Sequence, residues 1–322
     1  MKAIQITQTG GPDVLNLVDL PTPAPSPGQA LIKIEASGIN FVDIYFREGR
    51  YPNKLPFVPG QEAAGTIVSI GEGVTTVKPG DRVAWCHIFG TYAEFAVAPA
   101  SRLITLPANV TTQQAAAAML QGMTAHYLAH STYKIHSGDD VLIHAGAGGV
   151  GLLLIQMAKF LGARVFTTVS TEEKAALART AGADHVILYT QQDFAAEVKR
   201  LTDGRGVAVV YDSVGKTTFD GSLTCLRPLG MMALFGGASG PVPSFDLIRL
   251  SQMGSLFITR PTMKDYIATR EALESRANDV LSWVASGKLK LRTEHNYPLA
   301  DAAQAHRDLE SRKTTGKLLL IP

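Results

Sequence analysis

Three glycines, Gly146, Gly148 and Gly151, stand near the middle of the chain at the spacing G-x-G-x-x-G. Glycine at these places lets a backbone turn tightly off a strand, come close to a pyrophosphate, and pack the next helix tightly on that strand. The backbone at Gly149, Val150 and Gly151 would open that helix, and a helix N-terminus favours an anion through its free N–H groups and its dipole. The same spacing also occurs in ordinary tight turns, so context decides. An apolar run, Val141 to His144, precedes the glycines, and a helix apolar nearly all round follows from Val150 to Phe160. That is how a strand and helix read when buried in a parallel sheet, and the unit they form is a dinucleotide-binding one.

The end of the next strand reports which dinucleotide is held, because an Asp or Glu there bonds the ribose 2′-hydroxyl of NAD. Here the strand ends Val169-Ser170-Thr171 with no acid, and Lys174 follows one helical turn later. Hydroxyls and an ammonium suit a 2′-phosphate, which favours NADPH. Glu172 and Glu173 lie close by and argue the other way, unless they serve only as acids in a first helical turn.

Other chemistry is sparse. His126 and His130 have i, i+4 spacing but lack the glutamate of H-E-x-x-H, and two histidines on a helix are more often packing or surface residues. No Ser/His/Asp arrangement has motif support. Cys86 and Cys225 lie far apart without a C-x-x-C pattern, which suits a reducing compartment and points to the cytoplasm. A net charge of +2 without a basic stripe gives no electrostatic case for nucleic acid or a membrane surface as partner. The start of the chain alternates like a strand, and the helix after Gly148 is interrupted by Gln156 and Lys159 before it could span a bilayer, so no membrane segment is expected.

The elements that must position these residues divide the chain in two. At 322 residues and 46% hydrophobic it can bury two cores. Up to about residue 125, short β-like runs (30–35, 64–70, 81–85 and 92–98) punctuated by Pro and Gly predict a partly closed β domain. After a helical stretch over 115–129, apolar strands near 141, 164, 185, 207 and 231 alternate with helical patterns near 150, 172, 193 and 217. That alternation predicts a doubly wound parallel sheet, giving an α/β fold overall. After about 260 the pattern returns to helix and strand, and the run Gly316 to Pro322 is expected to rejoin the first domain. A ligand cleft is expected between the β domain and the carboxyl ends of the parallel strands.

Over nearly its whole length the chain resembles the medium-chain dehydrogenase/reductase superfamily, and within it the zinc-free quinone oxidoreductases related to zeta-crystallin. The segments that carry the resemblance are Gly38 to Asp43, Tyr51-Pro52, Pro59 to Gly65, Pro79 to Val83, Gly122 to Thr124, the glycine motif, Val210 to Gly215 and Glu310 to Arg312. The resemblance implies a GroES-like domain over 1–125, completed by 262–322, and an NADPH-binding Rossmann domain over 126–261. Asn40 and Gln61 stand where zinc-dependent members carry a ligand cysteine and histidine; carboxamides are poor zinc ligands, so no metal is expected. The implied activity is hydride transfer from NADPH to a quinone in the interdomain cleft.

By the same resemblance Asn40, Tyr45 and Tyr51 would line the acceptor side, with Asn40 also near the cofactor. Tyr45 could equally be aromatic core, a reading that fits Tyr51 less well, and Asp43 reads as a structural acceptor of backbone bonds. Thr124 would touch the nicotinamide end, and Ser170, Lys174, Tyr189 and Arg312 would surround the 2′-phosphate. A surface ion pair with Glu310 or Asp308 is the other reading of Arg312. Ser213 would bind the cofactor, and Phe235, Gly236, Phe257 and Thr259 would flank the nicotinamide and its ribose. Gln121 departs from the lysine that close relatives often carry, so a positive charge near the site is missing. The run Gly254 to Thr259 reads as an apolar edge strand, and relatives pair it in a homodimer. Reduction of alkenals or enones with NADPH, and a non-catalytic NADPH-binding role, structural or RNA-binding, are the competing functions.

Overall fold

The computed structural model describes all 322 residues. They form two compact units, Met1–Met123 with Ile267–Pro322, and Thr124–Tyr266.

The first unit is built on a seven-stranded sheet. Its path runs His295–Pro298, Leu318–Ile321, Gln29–Ile39, Glu62–Ile70, Arg82–Cys86, Ile104–Thr105, and Phe95–Pro99 also pairs with Gln29–Ile39. The long strand Gln29–Ile39 alternates as a half-buried strand should. Ala30, Ile32 and Ile34 enter a core with Val83 and Trp85, while Lys33 and Glu35 face out. The expected strand over 92–98 begins later, at Phe95. The reason is that Tyr92 and Ala93 turn to meet the N-terminal strand Lys2–Gln5, with the Ile4 amide donating to the Tyr92 carbonyl at 2.8 Å. The final strand does return to this sheet, antiparallel to the long strand with Leu318 opposite Ile39. Extending that register by one residue brings Lys317 to Asn40.

The second unit holds a six-stranded sheet, ordered His185–Leu188, Arg164–Val169, Asp140–Ile143, Val207–Asp212, Leu226–Leu234, Phe257–Thr259. Every pairing in it is parallel. In chain order this is 3-2-1-4-5-6, the doubly wound arrangement whose order reverses between the first and fourth strands. Helices Gly149–Phe160, Glu172–Thr180, Phe194–Leu201 and Phe219–Cys225 alternate with the strands. All six residues of Val207–Asp212 are buried, as a strand covered on both faces requires. No helix in the structure is long and apolar enough to cross a membrane.

Candidate functional site

In the second unit the strand ends gather most of the residues assigned to the dinucleotide. Gly146 to Gly151 follow Asp140–Ile143, Ser170 follows Arg164–Val169, and Tyr189 follows His185–Leu188. Ser213 follows Val207–Asp212, Phe235 and Gly236 follow Leu226–Leu234, and Thr259 ends the last strand, whereas Phe257 begins it and so stands at the opposite, amino end of the sheet. Thr124 lies instead on the helix Thr112–Tyr127, 7% exposed. Such strand ends are where open α/β sheets bind ligands.

The turn itself has no room for side chains. A Cβ on Gly146 would lie 2.0 Å from Thr167 Oγ1, and one on Gly151 would lie 2.3 Å from the Ala145 carbonyl oxygen. Ala145, at φ 54°, takes the left-handed turn off the strand. Gly148 is the N-cap of Gly149–Phe160 and offers no side chain to the first-turn amides, so those donors are left for an anion. This cradle fits a dinucleotide pyrophosphate.

At the adenosine end, Thr171 caps the helix Glu172–Thr180 by accepting from the Lys174 amide at 3.3 Å. Of the two nearby acids, Glu172 lies 3.6 Å from Arg179, and a hydrogen bond with the Thr171 side chain holds Glu173 below the usual carboxylate range. Arg312, in the first unit, follows the helix Ala302–Glu310 with φ 58°. Glu310 accepts from Arg47 at 2.7 Å, and Asp308 accepts from Tyr297 and Gln304, both at 2.8 Å.

Behind the glycine turn lies a buried network that the sequence did not single out. His144 bonds Thr168 Oγ1 through Nδ1 at 2.8 Å and Ser222 Oγ through Nε2 at 3.0 Å; the Ser222 hydroxyl donates to Asp212 Oδ2 at 2.9 Å. Asp212 Oδ1 also accepts the amides of Val214 and Gly215. Burial lowers the His144 pKa, against the opposing pull of the Asp212 charge. Ser222 is fully buried and spends its proton on Asp212, so the trio ties strand ends together and offers no nucleophile.

In the first unit Asn40 caps the short helix Phe41–Arg47 and stands in a second buried network. Its Oδ1 accepts from Lys317 Nζ at 2.7 Å and from Gln121 Nε2 at 3.4 Å. Its Nδ2 donates to Glu62 Oε2 at 2.9 Å and to the Gly38 carbonyl at 3.2 Å. Two acceptor sites and two N–H groups are all a carboxamide has. Lys317 and Glu62 form an ion pair with side chains 3% and 0% exposed, and the other Glu62 oxygen accepts the Leu120 amide at 2.6 Å. An ammonium, that of Lys317, thus reaches the same Asn40 oxygen as Gln121 does, paired with the Glu62 carboxylate. Neither Lys317 nor Glu62 was singled out from the sequence. The available signal was a lysine standing directly before the apolar run Leu318 to Ile321.

The turn after Phe41–Arg47 brings Tyr45 and Tyr51 edge to face, with ring centroids 5.4 Å apart. Tyr45 is buried and Tyr51 half-exposed at 38%. Phe46 continues the aromatic group to Phe89, and Arg50 lies 5.4 Å over the Tyr45 ring. Asp43 accepts from the Asn40 amide at 2.8 Å and from the Tyr92 hydroxyl at 3.1 Å. Burial pushes its pKa up to about 7. Tyr92 in turn bonds His306, whose Nδ1 faces Arg47. Gln61 is buried, its Oε1 lying 3.3 Å from His87 Nδ1 and its Nε2 meeting no acceptor. His126 and His130 stack with centroids 4.5 Å apart, and no three His, Cys, Asp or Glu side chains gather as a metal site.

A β unit of this kind and a 3-2-1-4-5-6 dinucleotide sheet in one chain define the plan of the medium-chain dehydrogenases and reductases. Residues 26–108 match the alcohol dehydrogenase GroES-like domain, and residues 149–286 match the zinc-binding dehydrogenase family. A mycobacterial protein solved in complex with NADPH is 51% identical, with TM-score 0.97 and full coverage of both chains. Escherichia coli quinone oxidoreductase, also solved with NADPH, is 43% identical with TM-score 0.98 and full coverage of both. A 2-haloacrylate reductase from a Burkholderia species is 42% identical over 99% of this chain and 98% of its own. The chain belongs to the quinone oxidoreductases of the medium-chain dehydrogenase/reductase superfamily.

Proposed function

We propose that the protein reduces quinones with NADPH and without a metal ion. The observation that carries the reading is the glycine cradle at the sheet's switch point, with Ser170 and Lys174, and no acid, at the end of the adjoining strand. The NADPH-bound relatives and the quinone oxidoreductase named among them support it. The backbone amides at the start of Gly149–Phe160 hold the pyrophosphate, and Ser170, Lys174 and Tyr189 recognise the 2′-phosphate. When bound, NADPH supplies a hydride to the acceptor. The chain's own contribution is to orient the acceptor and exclude water, with Tyr45 and Tyr51 offering phenol groups to its oxygen. The reduced acceptor takes its proton from water or a hydroxyl.

A second reading has its own support. The 2-haloacrylate reductase relative is named for an activated alkene, and hydride addition to such a carbon asks the same of the fold. The test is oxidation of NADPH with a panel of ortho- and para-quinones and 2-alkenals, with NADH in parallel and a strong chelator present. Chelator-resistant turnover of quinones that prefers NADPH is expected. Turnover of alkenals alone moves the assignment to enone reduction, and tight NADPH binding without turnover moves it to a binding protein.

A further inference from the structure

The buried ion pair beside Asn40 has no part in the scheme above, yet it holds the residue that stands where zinc-dependent relatives carry a ligand cysteine. Lys317, Glu62, Gln121 and Asn40 come from four separate stretches of chain, and the fold makes room for them. A Cβ on Gly38 would lie 2.4 Å from Glu62 Oε2, 2.6 Å from the Ala116 carbonyl oxygen and 2.7 Å from Lys317 Cε. Glu62 also grips the helix that carries Gln121, through the Leu120 amide. Burying an ammonium and a carboxylate costs several kcal/mol per ion by order of magnitude, and such pairs often add nothing to stability compared with apolar side chains of similar size. Stability alone therefore does not account for it.

We propose that Lys317 is a positioning residue for acceptor reduction: together with Glu62 it locks the Asn40 carboxamide in one orientation, supplying from position 317 the ammonium that close relatives often carry at position 121. The proposal rests on the quinone-reductase reading. Gln121 Nε2 and Lys317 Nζ converge on the same oxygen, Asn40 Oδ1, so an ammonium introduced at 121 can take over the contact. With the carboxamide locked, Asn40 presents a fixed, saturated surface to the acceptor and leaves the hydroxyls of Tyr45 and Tyr51 to bind its oxygen. Cofactor binding rests chiefly on the glycine cradle, so loss of the lock is expected to alter acceptor reduction more than NADPH affinity.

Two double variants test it. Lys317→Met with Glu62→Gln removes both charges and leaves no buried carboxylate unpaired, which keeps folding separate from function. Lys317→Met with Gln121→Lys moves the ammonium. The readouts are kcat and KM for 1,4-benzoquinone and 1,2-naphthoquinone, the NADPH Kd from nicotinamide fluorescence, and the thermal midpoint. The first variant is expected to lose at least tenfold in kcat/KM for the quinone with the NADPH Kd within twofold of the parent. The second is expected to recover to within about threefold of the parent. Unchanged kcat/KM in the first variant, a matching loss of NADPH affinity, or no recovery in the second overturns the proposal. Absence of quinone turnover in the parent protein overturns the functional reading instead.

Discussion

Asp43 is fully buried, with one oxygen held by the Asn40 amide and the Tyr92 hydroxyl and the other meeting no donor. A structural role, accepting backbone bonds, was the expectation for it, and the bond from the Asn40 amide is of that kind. The cost of the burial was not legible, because it depends on Tyr92 and, through it, His306, which come from distant segments. A carboxyl raised from 3.8 to about 7 binds more protons folded than unfolded, so its stabilising contribution is complete below 3.8 and is lost as pH rises through 7. His306 works in the opposite sense. Burial, aided by Arg47, depresses it from 6.5 to about 3, so its contribution is present above 6.5 and lost as pH falls toward 3. Lys317 and Glu62 are the other charges that act on Asp43. Asp43→Asn keeps an oxygen for the Asn40 and Tyr92 bonds and removes the titration. Urea unfolding at pH 4, 5.5 and 7.5 should show the variant gaining on the parent as pH rises, by up to about 4 kcal/mol, one pKa unit being about 1.4. A gap that does not change with pH would mean the carboxyl is not perturbed.

The glycine turn acts as one element, and its three glycines serve different ends. At Gly151 an added Cβ meets backbone, with the Ala145 oxygen at 2.3 Å and Gly146 Cα at 3.0 Å; at Gly148 the nearest atom is the Ala145 oxygen at 3.1 Å. Backbone cannot move aside as a side-chain tip can, so Gly151→Ala should cost roughly 1–3 kcal/mol of stability. Gly148→Ala, whose Cβ meets one backbone oxygen at 3.1 Å and which loses a favoured N-cap residue, should cost less, up to roughly 1 kcal/mol, and weaken NADPH about tenfold or more, since that residue is where a pyrophosphate approaches the chain. Calorimetry on the two variants with and without NADPH checks both, and equal thermal midpoints for the two would refute the division. This element was readable because strand, turn and helix are contiguous. The His144, Thr168, Asp212 and Ser222 network just behind it was not, because its members come from three strands and a helix that only the folded sheet brings together.

On the scale of the whole molecule, the parallel sheet and the return of the last strand were legible because each rests on apolar runs of the right length. The buried Lys317–Glu62 pair was not, since charge inside a core leaves no periodic trace. The outermost strand of the parallel sheet raises the question of assembly. Phe257–Thr259 pairs on one side only, with Met231 to Ala233, and Phe257 is 55% exposed. Leu229, whose amide is bonded to the Gly254 carbonyl, is 68% exposed, and Leu247 and Ile248 are exposed as well. An open apolar strand edge invites a second strand, and a soluble monomer normally blunts such an edge with charge. The expected assembly is a homodimer in which two copies pair these edges about a twofold axis. Sedimentation equilibrium should then return twice the 34.4 kDa chain mass at micromolar concentration. Phe257→Lys, placing a charge at the edge, should shift the protein toward monomer, and the thermal midpoint of the parent should rise with protein concentration while that of the variant does not. A parent protein that sediments as a monomer throughout would show that this edge is closed in some other way.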